Sequence, residues 1–306
     1  MDPTRPGPEP FDAPLHVPGP EGSWDEVSDR LDDVGRTLVC TTWGQWLTPL
    51  LLDPALRSML GDDWPRYRQT PAAAGRMRFA ASRFVMKYAA AAALNVPAHT
   101  LDLGYRPGGR PVLRGLGEDV DVDLDVSLAH TDELIVVGVS RTGPIGVDAE
   151  PVDRDVSFEL LRGRVCTAEE DDVLAALPEG ERRARLLRLW TLKEAYTKAH
   201  GHGRRRRFST FGFGEDSRGR VVLADAPDEG AEAGEWSFAT HLVQDRYLVS
   251  AAHRRRPAGP GARGVAVDTG SRSAAGPLEE RGPRPQGQLR FLRPVTSGRG
   301  EGRRTP

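Results

Sequence analysis

Proline and glycine are concentrated at the two ends of this chain, and that distribution limits where a compact fold can form. The 306 residues include 34 glycines and 25 prolines. Segments of this composition bury too little apolar surface to offset the conformational entropy lost on folding. We therefore predict disorder over residues 1–33 and 257–306. The folded part then consists of an N-terminal half, residues 34–141, and a C-terminal half, residues 142–256.

Charge and cysteine content exclude several classes of protein. The 42 basic and 44 acidic residues nearly cancel, so bulk charge does not favour binding to nucleic acid or to a membrane. Cys40 and Cys166 are too few for a disulfide framework, which favours a reducing compartment. No apolar run is as long as a membrane span, and the N-terminus lacks a signal-peptide pattern. We expect a soluble, cytoplasmic protein.

Apolar periodicity predicts both helices and strands in each half. Residues 76–94 carry apolar side chains at steps of three and four, as an amphipathic helix does. Short β-branched or alternating segments predict strands. In chain order we expect strands near 37–43, 121–130, 134–140 and 145–150, helices near 157–165, 168–177 and 181–200, and strands near 208–213, 235–241 and 246–252. The pattern predicts an α+β fold with two halves of comparable size.

Two acids share one face of the strand predicted at 145–150. Side chains alternate between the two faces of a strand, so Asp148 and Glu150 point the same way. Neighbouring carboxylates repel each other, and a hard divalent cation such as Mg²⁺ removes that penalty. A solvated strand edge with two exposed acids explains this segment equally well.

A second polar motif lies on the helix predicted at 181–200. Glu194 and Lys198 stand four residues apart, on the same helix face as Trp190. Taken alone, this spacing is typical of an exposed ion pair that stabilises a helix. Together, the helix motif and the acidic strand say more about function than either motif does alone.

The two motifs together resemble the 4′-phosphopantetheinyl transferases. The letters IGVDAE at 145–150 and WTLKEAYTK at 190–198 are similar to that family's hydrophobic-Gly-hydrophobic-Asp strand and Trp/Phe-x-x-Lys-Glu-x-x-x-Lys helix. GRP at 109–111 resembles its Gly-Lys/Arg-Pro turn. VSLAHT at 126–131 resembles its strand ending in Ser-His-Ser/Thr, with Ala129 in place of the usual serine. The resemblance favours the large, single-chain Sfp-type class.

The resemblance implies a holo-[acyl-carrier-protein] synthase type of activity. The enzyme would move the 4′-phosphopantetheine arm of coenzyme A onto a serine of an apo acyl or peptidyl carrier protein and release 3′,5′-ADP. Polyketide, nonribosomal-peptide and fatty-acid carriers all offer this serine. The implied fold has two pseudo-symmetric α/β subdomains with the active site in the cleft between them, for which a monomer is the simplest state. Mg²⁺ would be held by Asp148, Glu150 and Glu194.

The resemblance also implies contacts to coenzyme A and a proton acceptor. The basic groups that would contact its phosphates are Arg83, Lys87, Arg110, His130, Lys193 and Lys198. For Arg83 and Lys87, a solvated helix face is an equal alternative. Glu169 and Glu194 are the candidate catalytic carboxylates, with Glu169 acting as the base that takes or relays the serine proton. Glu169 also fits a simple helix N-terminal acid, while Glu170 forms a capping box with Thr167.

Two other classes remain as alternatives. Another Mg²⁺-dependent phosphoryl-transfer enzyme or phosphohydrolase would also cluster carboxylates with basic residues, but it would need no acceptor protein. A nucleic-acid-binding module would use Arg204 to Arg207 and the arginine-rich tail, although that tail carries few of the aromatic residues on which bases stack. In a transferase, the same arginine run would face an acidic carrier protein.

Overall fold

The computed structural model describes residues 11–115, 123–155, 157–201, 207–225 and 236–256, and these form an α+β fold, as predicted. The helices are α1 Trp24–Val34, α2 Leu47–Leu52, α3 Leu56–Leu60, α4 Trp64–Gln69, α5 Ala73–Leu94, α6 Phe158–Val165, α7 Ala168–Ala176 and α8 Glu179–His200. The strands are β1 Leu15–His16, β2 Arg36–Thr42, β3 Asp102–Tyr105, β4 Pro111–Arg114, β5 Asp125–Thr131, β6 Leu134–Ser140, β7 Ile145–Pro151, β8 Gly212–Glu215, β9 Val221–Asp225, β10 Trp236–Val243 and β11 Tyr247–Arg254.

The two larger sheets meet where β5 lies beside β7. One sheet has the order β1-β2-β6-β5, and the other has the order β10-β11-β7. The Ser127 hydroxyl on β5 accepts a hydrogen bond from the Val147 amide on β7 at 3.1 Å. An apolar cluster from β2, β6, β7 and β11 fills the space between the sheets. β7 is therefore held on both edges, which fixes the strand that carries the two predicted acids.

Two long helices cover the outer faces of these sheets. α5 contributes Phe84 and Val85 to a core shared with β2 and β6, and α8 contributes Tyr196 to a core shared with β11. α5 confirms the helix predicted at 76–94 and ends at Asn95, whose left-handed backbone (φ 53°) caps it. Its side chains at Arg83 and Lys87 are buried, so the interpretation as a solvated face is wrong.

The N-terminal prediction of disorder fails over residues 11–33. α1 lies in this segment and buries Val27 and Leu31, while Trp24 stacks on Tyr88 of α5 at 5.7 Å between ring centroids. Three apolar residues at helical spacing are enough to attach this acidic helix to the core. Residues 1–10 and the predicted tail at 257–306 lie outside the described residues.

Among the local sequence predictions in the C-terminal half, the capping box is correct and one strand is not. The predicted capping box is present, since the Glu170 amide donates to the Thr167 hydroxyl at 3.2 Å and the Thr167 amide donates to Glu170 at 2.9 Å. The strand predicted at 208–213 is instead a 3₁₀ turn, Phe208–Thr210, followed by β8. Across the described part of the chain, the helices lack the combination of length and apolar character needed to cross a bilayer.

Buried His253 makes the stability of the fold sensitive to acid. Its ring on β11 lies 3.1 Å from the hydroxyls of Thr142 and Ser140. Burial lowers the pKa of His253 to about 3, and the nearby cations Arg36 and Arg255 add to this effect. The unfolded chain binds a proton near pH 6.5, whereas the folded chain does not, so stability falls as pH drops below 6.5.

We expect this histidine alone to remove about 2 kcal/mol of unfolding free energy between pH 7 and pH 5. Urea unfolding at the two pH values measures the loss, and His253→Gln, which cannot titrate, provides the control. If the wild type and the variant lose the same stability on acidification, His253 is not the group responsible.

Candidate active site

A cavity of about 700 Å³ collects side chains from both predicted halves of the chain. β5, β7 and α8 form much of its wall, together with α5 and the turn before β4. The predicted site residues that line it are Arg83, Arg110, His130, Asp148, Glu150, Glu194 and Lys198. Ligand sites in proteins typically have volumes of roughly 300 to 1,000 Å³, so this cavity is large enough for a nucleotide-sized ligand.

Gly146 brings the two family-like motifs together. A Cβ atom at this position would lie 2.0 Å from the Ala195 carbonyl oxygen and 2.5 Å from the Ala199 amide nitrogen of α8. Only a residue without a side chain allows the α8 backbone to pack so closely on β7. This contact is what places Lys198 of α8 beside Asp148 of β7.

Asp148 is a buried carboxylate with one oxygen bound and one unbound. The Lys198 ammonium donates to Asp148 Oδ1 at 2.7 Å and to the Val147 carbonyl at 2.9 Å. Among the described residues, Oδ2 is buried and has no hydrogen-bond partner. Burial raises the pKa of Asp148, although Lys198 acts in the opposite direction. An unsatisfied buried oxygen of this kind is costly unless a ligand completes it.

Glu150 reaches the same cavity and is paired with a residue that the motifs did not indicate. Arg154 donates a hydrogen bond to Glu150 Oε1, and its guanidinium lies 5.5 Å from the centre of the Trp190 ring. Glu194 lines the cavity from α8. The strand and the helix therefore present three carboxylates to one space.

These acids have the right chemistry for Mg²⁺, but they are not gathered into a metal site. Carboxylate oxygens are its preferred protein ligands, and the buried Oδ2 of Asp148 has no hydrogen-bond partner among the described residues. Within the part of the chain that the structure describes, however, no group of three His, Cys, Asp or Glu side chains is close enough to hold an ion. The three side chains are therefore of the type that binds Mg²⁺, but in this structure they are not close enough together to form a complete metal site.

Basic side chains also line the cavity. Arg110 donates to Asp125 and, at 3.1 Å, to the Ala199 carbonyl, which ties the turn before β4 to the end of α8. His130 is exposed to the cavity, and the surrounding protein lowers its pKa, helped by the positive charges of Arg83 and Lys198. A wall of this charge suits an anionic ligand.

Lys87 and Lys193 do not line this cavity, so the structure does not bring them together with the other predicted coenzyme A contacts. The Lys87 ammonium donates to the Met59 carbonyl at 2.7 Å. The Lys193 ammonium lies 2.5 Å from Glu170 and within hydrogen-bonding distance of three backbone carbonyls in the core of the C-terminal half, which together share its three N–H groups. A lysine that is buried this way satisfies its donors inside the protein and presents none of them to a ligand.

Glu169 also lies outside the cavity lining. It is exposed in the first turn of α7, where its own backbone amide, and then the Thr167 hydroxyl, lower its pKa. This is the environment of a helix N-terminal acid, which was the alternative interpretation. The structure does not bring Glu169 to the other predicted residues.

Several cavity residues were missed by sequence reasoning. Arg66, Tyr105 and Arg154 line the cavity beside the predicted groups. Arg154 follows Glu150 by four residues, and Tyr105 belongs to the turn-rich segment at 104–111. Either position could have been suspected from its neighbourhood, whereas nothing near Arg66 in the sequence indicates a site. Of the arginine run at 204–207, residues 204–206 lie outside the described residues.

Comparisons with known proteins match the C-terminal half most clearly. Residues 144–252 match the family described as the 4′-phosphopantetheinyl transferase superfamily. The 4′-phosphopantetheinyl transferase HetI of Nostoc is 30% identical over 128 residues, which cover 42% of this chain and 53% of HetI. A putative 4′-phosphopantetheinyl transferase of Synechocystis, slr0495, is 29% identical over 52% of this chain and 64% of its own length.

A human relative aligns over a longer region, and solved structures align over a shorter one. The human L-aminoadipate-semialdehyde dehydrogenase-phosphopantetheinyl transferase is 22% identical over 74% of this chain and 76% of its own length. A holo-[acyl-carrier-protein] synthase structure from Neisseria meningitidis covers 37% of this chain and 99% of its own, with 22% identity and a TM-score of 0.31. The alignments with HetI and slr0495 span less than two thirds of those proteins. The sequence matches confirm the resemblance found from the motifs.

Proposed function

We propose that this chain, a member of the 4′-phosphopantetheinyl transferase superfamily, transfers 4′-phosphopantetheine from coenzyme A to a serine of an apo carrier protein. The observation that carries the proposal is that one cavity is lined both by the β7 and α8 acids of the family motifs and by basic groups from β5 and α5. The proposal includes the large single-chain class with two pseudo-symmetric subdomains, a holo-[acyl-carrier-protein] synthase type of activity, and a cytoplasmic monomer.

The charge of the cavity suits the phosphates of coenzyme A. Arg83, Arg110, His130 and Lys198 line it, and guanidinium groups bind phosphate oxygens through paired, charge-assisted hydrogen bonds. Burial, and after it the positive charges of Arg83 and Lys198, lower the pKa of His130, so its ring is mainly neutral near pH 7 before a ligand binds. The fixed positive charge then comes from the arginines and from Lys198.

We propose that Asp148, Glu150 and Glu194 hold Mg²⁺, with Asp148 contributing its unbound Oδ2. When bound, the ion would neutralise charge on the pyrophosphate and on the departing 3′,5′-ADP. Lys198 fixes the Asp148 side chain in position through Oδ1. Arg154 holds Glu150 at the cavity wall and adds positive charge near the same phosphates.

The nucleophile belongs to the carrier, and the enzyme has to accept its proton. The serine oxygen forms a bond to the phosphorus that bears the pantetheine arm, and the bond from that phosphorus to the bridging oxygen breaks to release 3′,5′-ADP. We propose Glu194 as the carboxylate that accepts the serine proton, since it lines the cavity and Glu169 does not. The reaction is therefore strictly dependent on an acceptor protein.

Acceptor dependence separates this function from a phosphohydrolase. We expect the protein with Mg²⁺ to release 3′,5′-ADP from coenzyme A only when an apo carrier is added, and in an amount equal to the carrier present. Chromatography of the nucleotide products, with and without carrier, measures this. Release of 3′,5′-ADP at the same rate without carrier would favour the hydrolase instead.

A further inference from the structure

Asp63 is a buried acid that lies just behind the basic wall of the cavity. It ends the 3₁₀ turn Gly61–Asp63 between α3 and α4, and only 1% of its side chain is exposed. Burial of a carboxylate is costly unless hydrogen bonds and opposite charge compensate for it. Asp63 lies outside the family-like motifs. The reason for burying its carboxylate has to come from the side chains that bind it.

Within the described part of the chain, three side chains bind Asp63, and all three line the cavity. The Tyr105 hydroxyl donates to Oδ2 at 2.5 Å, and Arg83 Nε donates to the same oxygen at 3.0 Å. Arg66 Nη1 lies 3.4 Å from Oδ1. Asp63 itself is not part of the lining. One carboxylate thus connects a helix residue of α5, a strand residue of β3 and an exposed arginine of α4.

Stacking restricts the same side chains further. The Arg83 guanidinium lies 4.2 Å from the centre of the Phe79 ring, and that of Arg66 lies 5.1 Å from the centre of the Tyr105 ring. Burial raises the pKa of Tyr105, so its hydroxyl keeps the proton that it donates. The Arg83 guanidinium, which also donates to the Ser82 hydroxyl at 3.0 Å, is preorganised to bind an oxyanion, because little side-chain entropy remains to be lost on binding.

We propose that Asp63 is a positioning residue that orients Arg83 and Tyr105 on the cavity wall and so sets the affinity for the anionic groups of coenzyme A. This inference rests on the proposed function for the identity of the ligand. Asp63 touches neither substrate and acts through Arg83. Its loss therefore weakens coenzyme A binding and leaves the chemical step and carrier binding nearly unchanged.

Asp63→Asn is the direct test, since the amide keeps the shape of the side chain and removes its charge. We expect the Kd for coenzyme A, measured by calorimetry without carrier, to rise about tenfold, as for the loss of a hydrogen bond to a charged group. In the transfer assay the KM for coenzyme A rises by a similar factor, while kcat and the KM for the carrier change less than twofold. Asp62→Asn is the matched control. It makes the same chemical change at the neighbouring position, where the carboxylate is exposed and lies 3.9 Å from Arg114, which does not line the cavity.

A double-mutant cycle tests whether Asp63 acts through Arg83. In an Arg83→Met background, Asp63→Asn is expected to change the Kd less than twofold. If Asp63→Asn fails to fold, Tyr105→Phe removes one of the same hydrogen bonds, and we expect it to weaken binding about threefold.

Equal binding by the wild type and Asp63→Asn would overturn the inference while leaving the proposed function intact. A fall in kcat together with equal rises in the KM for coenzyme A and the KM for the carrier would also overturn the inference, because such uniform damage indicates a purely structural role. A wild-type protein that does not bind coenzyme A would overturn both proposals.

Discussion

Replacing Lys193 with Met is expected to lower the free energy of unfolding by about 3 to 5 kcal/mol, which is the usual cost of breaking a buried ion pair from one side. Lys193 is fully buried, and Glu170, its partner at 2.5 Å, is 6% exposed. Without the ammonium, the carboxylate of Glu170 keeps, among the described residues, the amides of Thr167 and Phe213 as its donors, and three backbone carbonyls lose a donor. Urea unfolding followed by circular dichroism measures the loss.

A second variant separates the charge from the packing. Lys193→Met combined with Glu170→Gln removes both charges, and we expect it to recover part of the stability, since no unpaired ion remains buried. The outcome also tests whether this lysine has a structural role. If Lys193→Met were as stable as the wild type but bound coenzyme A poorly, the result would support the sequence-based prediction of a coenzyme A contact.

Replacing Gly146 with Ala is expected to impair both folding and transfer. The added methyl group would meet backbone atoms of α8 at 2.0 and 2.5 Å, and backbone cannot rotate away as a side chain does. Overpacking of this kind costs about 1 to 3 kcal/mol. Because α8 has to move away from β7, Lys198 and Glu194 move relative to Asp148. A displacement of about 1 Å in an active site costs roughly a hundredfold in rate.

Gly180→Ala is the control for this change. Gly180 lies in the first turn of the same helix, and a Cβ there would have no atom within 4 Å. We expect Gly180→Ala to keep the stability and rate of the wild type, since alanine favours a helix over glycine. If Gly146→Ala behaved like Gly180→Ala in unfolding and transfer assays, the close packing of α8 on β7 would not determine the site.

The sequence predicted the acidic strand and the long helices because their signals are local. Alternation places Asp148 and Glu150 on one face whatever the rest of the chain does, and the Thr167–Glu170 capping box depends on residues three positions apart. The contact between β7 and α8 is different, since only the family resemblance connected Glu194 to the strand. The structure adds the physical reason, which is the absence of a side chain at Gly146.

Buried charges were the main source of error. The sequence shows that a residue is a lysine, but it does not show which carbonyl groups surround the ammonium. Lys193 lies within the signature motif and yet binds inside the core, and Lys87 does so beneath α3. Asp63 was missed for the same reason, because its two closer partners, Arg83 and Tyr105, come from positions 20 and 42 residues away in the chain. Such tertiary hydrogen bonds have no periodicity from which they can be predicted.

The most direct test of the proposed function is the intact mass of an apo carrier protein after incubation with this protein, coenzyme A and Mg²⁺. The account predicts a gain of one phosphopantetheine on the carrier. The gain should be absent when the acceptor serine is replaced by alanine, and it should be largely lost with Asp148→Asn. Carriers of the polyketide, nonribosomal-peptide and fatty-acid types, all unchanged in mass beside folded wild-type protein that binds coenzyme A, would contradict the account.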